Sequence, residues 1–169
     1  MDTPNHSHQL NSKWVFWYHD PENTNWDIKS YQKIFTFDTV EKFWSLHKHI
    51  ENEMLNSGMF FIMKEGIYPL WEDNQNINGG CWSYKIIKKD AYKAWVQLAV
   101  SLIGESLSTE TNFINGISIS PKKGFCIIKI WNSDKHKKEI SYISSNIPFL
   151  REKNTFISLF LDNSKELSY

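Results

Sequence analysis

The sequence predicts an α+β fold in a single domain, and three observations predict it. Apolar, β-branched and aromatic runs mix with segments of helical period in no regular βαβ order, which argues against a parallel doubly wound sheet. Where one strand follows another the link is short, which suits antiparallel pairing. At 169 residues, 41% apolar and 15% aromatic, the chain is long enough for a real core and short for two domains.

The elements follow in order. Residues 1–12 are polar and read as a flexible N-terminal arm, with the folded domain over residues 13–169. Trp14-Val15-Phe16-Trp17-Tyr18 reads as a strand that stops at the turn chemistry of His19-Asp20-Pro21-Glu22-Asn23. Residues 31–37 form a second strand. Asp38 with Glu41 three positions on starts a helix that runs to about Asn56. Residues 60–64 are a strand, and Pro69 with the Asn- and Gly-rich residues 74–80 marks a long loop. Residues 82–87 are a strand, 90–103 a helix ended by Gly104, and 114–120 and 125–131 two strands joined across Pro121-Lys122-Lys123-Gly124. A third helix over residues 135–145 and a last strand over 155–161 complete the prediction.

Composition narrows the function. Nineteen basic residues balance nineteen acidic ones, so any contact with a polyanion must be local rather than driven by bulk charge. Cys81 and Cys126 are too few for a disulfide scaffold, and no leader or membrane span is evident, so a soluble protein of the cytoplasm, partly nuclear, is expected. The six histidines are scattered and His47 and His49 do not share a helix face, so neither a metal nor a cofactor is predicted.

Both main helices carry more apolar surface than one core face requires. In the first, Phe43, Leu46, Ile50 and Met54 form one stripe while Val40 and Trp44 sit beside it at i and i+4. In the second, Ala91, Trp95, Leu98, Ala99 and Leu102 share a face, and Val96 and Val100 form a separate pair. A helix buried on two sides explains this, as does a groove for an amphipathic peptide with Trp44 exposed.

Eight tryptophans, the run Trp71-Glu72-Asp73 and the Gly79-Gly80 turn point to stacking on a flat ligand. Singly, Trp26 and Trp131 read as core aromatics and Glu72 as a solvated loop acid. Their setting decides between these readings. Lys13-Trp14 with Trp17, Phe37-Asp38-Thr39-Val40-Glu41 with Phe43-Trp44, residues 69–73 with Asn76 and Gly79-Gly80, Trp82, Trp95, Leu102-Ile103-Gly104-Glu105 and Ile130-Trp131 resemble the eukaryotic translation initiation factor 4E family, which binds messenger RNA caps. The resemblance is strong over residues 10–131 and weak beyond, and all eight tryptophans take family positions.

The resemblance implies a curved antiparallel sheet backed by three helices, with the 7-methylguanosine cap on the concave face and a protein partner on the helices. By analogy Trp26 and Trp71 sandwich the cationic base, where stacking and cation–π attraction add. Glu72 accepts from guanine N1 and N2, a donor pair that adenine lacks. Trp131 resembles the tryptophan that contacts the N7 methyl. For the phosphates, Lys122 or Lys123 at the hairpin are candidates against the plain reading of a solvated tip, and Ile127 stands where a lysine is usual. Lys129, two residues before Trp131, shares its face by alternation and is a candidate replacement.

The same resemblance assigns His8, Leu10, Val40, Trp44, Val96 and Val100 to the partner surface, for a scaffold initiation factor or inhibitor carrying a Tyr-x-x-x-x-Leu-hydrophobic helix. Gln9 and Gln97 depart from the family's usual proline and glutamate there, which predicts altered partner preference, and most of the family's C-terminal loop is not expected. A monomer is expected. Three functions compete: an initiation factor, a cap-binding repressor or storage form with a different partner, and a nucleotide-directed enzyme using Glu72 and Asp73 as acid and base. The first fits the residues best.

Overall fold

The structure, a computed structural model, describes residues 7–110, 112–151, 156–157 and 160–166. Its centre is one antiparallel sheet of eight strands: β1 Gln9–His19, β2 Tyr31–Thr39, β3 Met59–Lys64, β4 Gly80–Ile87, β5 Ile114–Pro121, β6 Phe125–Asn132, and the short β7 Phe156–Ile157 and β8 Leu161–Asp162. The order is β2-β1-β3-β5-β6-β4-β7, with β8 also on β4. Register shifts between β1 and β2 and between β5 and β6 are bulges that bend the sheet. At the second of these, a side chain on Gly116 would meet the Ile62 carbonyl at 2.2 Å, so only glycine lets β3 and β5 approach there. The predicted α+β class and curved antiparallel sheet are what the chain forms.

Period-two alternation loads both faces of the sheet with apolar side chains. Trp14, Phe16, Phe60, Ile62, Ile117, Ile119, Trp82, Tyr84, Ile86, Ile128 and Ile130 point to one side and join a large core. Helices α1 Val40–His47, α2 Asn52–Ser57 and α3 Ala91–Ile103 cover that side. Phe16 stacks on Phe60 at 5.4 Å and meets the edge of Trp95 on α3 at 6.4 Å. Val15, Trp17, Phe61, Met63 and Trp131 point the other way and make a second cluster that no long helix covers. A fourth helix, α4 Asn163–Glu166, packs at the β4–β8 edge.

Several elements differ from the sequence prediction. The first strand begins at Gln9, not near Lys13: His8 N–H donates to both oxygens of Glu41 at 3.2 and 3.0 Å, and Leu10 packs against the core, so tertiary contacts order residues that lack local propensity. Thr39, not Asp38, caps α1, its hydroxyl accepting from Lys42 N–H at 3.2 Å, while Asp38 pairs with the Lys42 ammonium. The long helix predicted to Asn56 is two, because the chain turns at residues 48–51 to bury Ile50 and then Leu55; Met54 is consequently exposed instead of completing the stripe.

No helix forms over residues 135–145 beyond a single 3₁₀ turn, Ile140–Tyr142. The backbone there answers to other partners. Trp82 Nε1 donates to the Lys138 carbonyl and Asn132 Nδ2 to that of Lys137, while Ser144 N–H reaches the Leu107 carbonyl. The extended path lets Ile143, Ile147 and Phe149 plug the core. The last predicted strand is replaced by the two short pieces β7 and β8, and residues 155 and 158–159 of it, like residues 1–6 of the predicted arm, lie outside the described residues. Among the described residues no helix is long and apolar enough to cross a membrane, and no group of three or more His, Cys, Asp or Glu could hold a metal ion.

Candidate functional site

The free face of the sheet, with its uncovered cluster, is bordered by the loop after β1 and by the loop between β3 and β4. Trp26 lies on the first and is 50% exposed, too much for a core residue. Its indole stacks on the His19 imidazole at 4.5 Å with the planes 8° apart, and His19 also meets the Tyr31 ring at 4.5 Å, tilted by 51°. His19 is fully buried, and its Nε2–H donates to the Asn25 carbonyl at 2.9 Å, beside the Ser30 hydroxyl. Asn23, Asn25 and Asp27 side chains each accept a backbone N–H two residues on, which makes the loop a chain of Asx turns. One indole face is thus backed by a rigid support.

Trp71 and Glu72 are presented by a second loop that Asn76 pins from inside. Buried Asn76 donates to the carbonyls of Tyr68 and Leu70 at 2.9 and 2.8 Å and accepts from Asn115 Nδ2 at 2.8 Å. Asp73 accepts the backbone N–H of Tyr68 and of Gln75 through its two oxygens. Gly79 permits the loop to close, since a side chain there would sit 1.8 Å from the Asn132 carbonyl. The result is a half-buried Trp71 ring against the second cluster and an exposed Glu72 carboxylate beside it. Burial first, and then the Glu72 charge, push the Tyr31 hydroxyl well above its ordinary range, so it stays neutral.

The remaining predicted residues divide. Trp131 has only 3% of its surface exposed and its Nε1 donates to the Ser118 hydroxyl at 3.0 Å, which fixes the ring in the cluster floor. Lys129 reaches the same site, its Nζ 5.5 Å from the Trp71 ring centre. Lys122 and Lys123 stand exposed at the β5–β6 hairpin, several rungs away along the strands, and the structure does not bring them to Trp71. Trp26 and Trp71 make no ring contact with each other among the described residues. They border one cluster, through Ile28 and Tyr31 on one side and Trp71 itself on the other.

On the helical side, Trp44 and Val100 are 47% and 42% exposed, and Val40 and Val96 are half-buried beside them. His8 holds the chain entry against α1 through Glu41, with Nδ1 2.6 Å from the carboxylate; this contact, above all, keeps the Glu41 carboxyl below its ordinary range. Leu10 is directed to the core rather than to a separate surface. Gln97 is engaged internally, its Oε1 accepting from Phe149 N–H at 2.8 Å.

Sequence reasoning missed His19, read as turn chemistry, and Tyr31, read as an ordinary strand residue. The signal was available for His19: it continues the alternation Val15, Trp17 onto the free face. Nothing local marks Ser118 or Asn115, whose roles arise from strand pairing.

Residues 9–166 match the model of the eukaryotic initiation factor 4E family. The chain belongs to that family. It is 30% identical over 161 residues to the translation initiation factor 4E of Candida albicans, covering 89% of this chain and 76% of the relative. Factor 4E-3 of Caenorhabditis elegans is 29% identical over 144 residues, 79% of this chain and 57% of that protein, so the chain spans little more than half of some relatives of the 4E family. Among solved structures, Ascaris suum factor 4E-3 in complex with the m7G cap superposes with a TM-score of 0.71 at 28% identity, over 79% of this chain and 77% of that one.

Proposed function

We propose that this member of the 4E family binds the 7-methylguanosine cap of messenger RNA and carries it to a scaffold initiation factor docked on the helices. The observation that carries the reading is an exposed Trp26 supported by His19, which meets Tyr31, together with a half-buried Trp71 beside the Glu72 carboxylate, Tyr31 and Trp71 both packing against one apolar cluster. A cationic, flat base between two indoles gains stacking and cation–π energy, and its Watson–Crick donors reach a carboxylate. Lys129 is positioned to leave the Trp71 ring for a cap phosphate. Trp131 supplies the floor on which the methyl group rests. The solved cap complex of the Ascaris relative supports the same reading.

The reaction class is binding without turnover. Asp73, half of the acid–base pair an enzyme would need, is occupied by two backbone amides that hold its loop. The helical surface Val40, Trp44, Val96 and Val100 fits an amphipathic helix. A second reading, the cap-binding repressor or storage form with a different partner, is favoured by Gln97, whose carbonyl is held by Phe149 and which carries no charge to attract a partner arginine.

The test is retention on 7-methylguanosine resin. Trp26→Ala, Trp71→Ala and Glu72→Ala are each expected to lose retention while keeping the wild-type circular dichroism. Retention of all three at the wild-type level would refute the site. Rescue of cells lacking their own initiation factor 4E supports the initiation role, and failure of rescue with intact cap binding supports the repressor.

A further inference from the structure

The chain is neutral as a whole, yet its charge is segregated in sequence. Residues 80–89 and 113–133, which contain β4, β5 and β6, hold no Asp or Glu, and they carry Lys85, Lys88, Lys89, Lys122, Lys123 and Lys129. Alternation assigns the faces. Trp82, Tyr84 and Ile86 point into the helix-covered core, so Ser83 and Lys85 point to the free face; Cys126, Ile128 and Ile130 point inward, so Phe125, Ile127, Lys129 and Trp131 share that free face. Lys85 lies opposite Ile127 and two rungs from Phe125 in the ladder, on the same face, and its Nζ sits 4.2 Å from the Phe125 ring centre. Phe125 is half-buried and Lys85 exposed.

A line therefore runs along β6 from Trp131 in the cap-site floor, past Lys129, to Phe125 with Lys85, and ends at the lysines of the hairpin. Six residues of strand make it about 20 Å long. Its chemistry changes along the way from apolar floor to ammonium to an aromatic ring under a second ammonium. That sequence matches a capped end read outward: base, phosphate bridge, next nucleoside.

We propose that Phe125 and Lys85 form a second subsite on the sheet's free face, for the first nucleotide of the RNA joined to the cap. This rests on the cap reading above and extends it. The incoming base takes the Phe125 ring face on which the ammonium now rests, as stacking on an aromatic is tolerant of base identity. The ammonium, on a flexible four-carbon stem, moves to the phosphate on the 3′ side of that nucleotide, which 7-methyl-GTP lacks. No base edge is read, so the subsite adds affinity without sequence preference. Lys122 and Lys123 then lie downstream, along the backbone of the leaving strand.

The experiment compares 7-methyl-GTP with a short capped RNA in binding to the full chain, using wild type, Lys85→Ala, Phe125→Ala and Phe125→Tyr. Wild type is expected to hold the capped RNA at least about fivefold more tightly than 7-methyl-GTP, since one stacked base contributes a factor of that order or more. Phe125→Ala and Lys85→Ala are expected to remove most of that advantage and leave 7-methyl-GTP affinity unchanged, with Lys85→Ala also lowering the salt slope for RNA by about one. Phe125→Tyr keeps the stacking ring and restores the advantage. Equal wild-type affinity for the two ligands overturns the subsite alone, as does equal weakening of both ligands by the variants. Wild type that binds neither ligand refutes the cap reading and this inference with it.

Discussion

In the proposed cap site His19 acts through another residue, as the support on which the Trp26 indole stacks. Its ring is clamped by the Asn25 carbonyl and Ser30 on one edge, covered by the stacked Trp26 indole and met by the tilted Tyr31 ring. Removing it leaves Trp26 with an unsupported face in a loop then held by short-range Asx turns and by the Ser30 hydroxyl, which donates to the Asn25 and Asp27 carbonyls. His19→Ala is expected to weaken 7-methyl-GTP binding by about tenfold, whereas His19→Phe, which keeps a flat support, retains most of it; isothermal titration of both variants checks this. Glu72 is proposed to contact the base directly. Glu72→Gln replaces one acceptor oxygen by a donor facing the guanine donors, so a loss of about tenfold or more in affinity is expected, with an unchanged melting temperature because the side chain is exposed.

At the scale of elements, the β3–β4 loop and the two helices behave in opposite ways. The loop is rigid because Asn76 ties it from within, and Asn76→Ala removes three side-chain hydrogen bonds at a buried position. A loss of about 2 to 4 kcal/mol in a urea melt is expected, together with loss of cap retention as Trp71 and Glu72 drift. Trp44 is the contrary case. Being 47% exposed on α1, Trp44→Ala is expected to move the melting temperature little and to abolish binding of a Tyr-x-x-x-x-Leu-hydrophobic peptide, read by fluorescence anisotropy; unfolding of this variant would contradict the exposed-surface account.

The strands and α3 were legible in the sequence because β-branched and aromatic runs and a clean helical stripe state their period locally. The break after His47 was not, since residues 48–51 contain neither proline nor glycine and the turn is set by burial of Ile50 and Leu55. The missing helix at 135–145 was not legible either, because its carbonyls are claimed by Trp82 and Asn132, residues distant in sequence. At the site, Trp71 and Glu72 came from motif and resemblance and the alternation along β1 carries a signal for His19, whereas the supports Tyr31 and Ser118 depend on pairing that spacing alone does not reveal.

At the scale of the whole molecule, one sheet serves two purposes because both of its faces are apolar. One face is sealed by helices and supplies stability; the other is left open at its edges and is the proposed ligand surface. The sealed side contains a proton-sensitive group. His47 is fully buried, its Nδ1 bonded to the Phe43 carbonyl, and burial lowers its pKa from 6.5 to about 4. In the unfolded chain His47 gains its proton near 6.5, while the folded protein resists until about 4. Stability is thus full above that unfolded value, falls as pH drops through the interval, and levels off below it. The fall is on the order of 3 kcal/mol. Urea melts across that interval are expected to show it in the wild type and to show a smaller slope in His47→Phe; an identical slope in both would assign the acid sensitivity elsewhere.

The account rests on a cationic base held between two indoles. The most direct measurement is a titration of tryptophan fluorescence with 7-methyl-GTP and with GTP, in wild type and Trp26→Ala. Saturable quenching by the methylated nucleotide is expected, with affinity for GTP about tenfold or more weaker and with the methyl preference lost in the variant. Equal affinity of wild type for both nucleotides, or an unchanged methyl preference in Trp26→Ala, would contradict it.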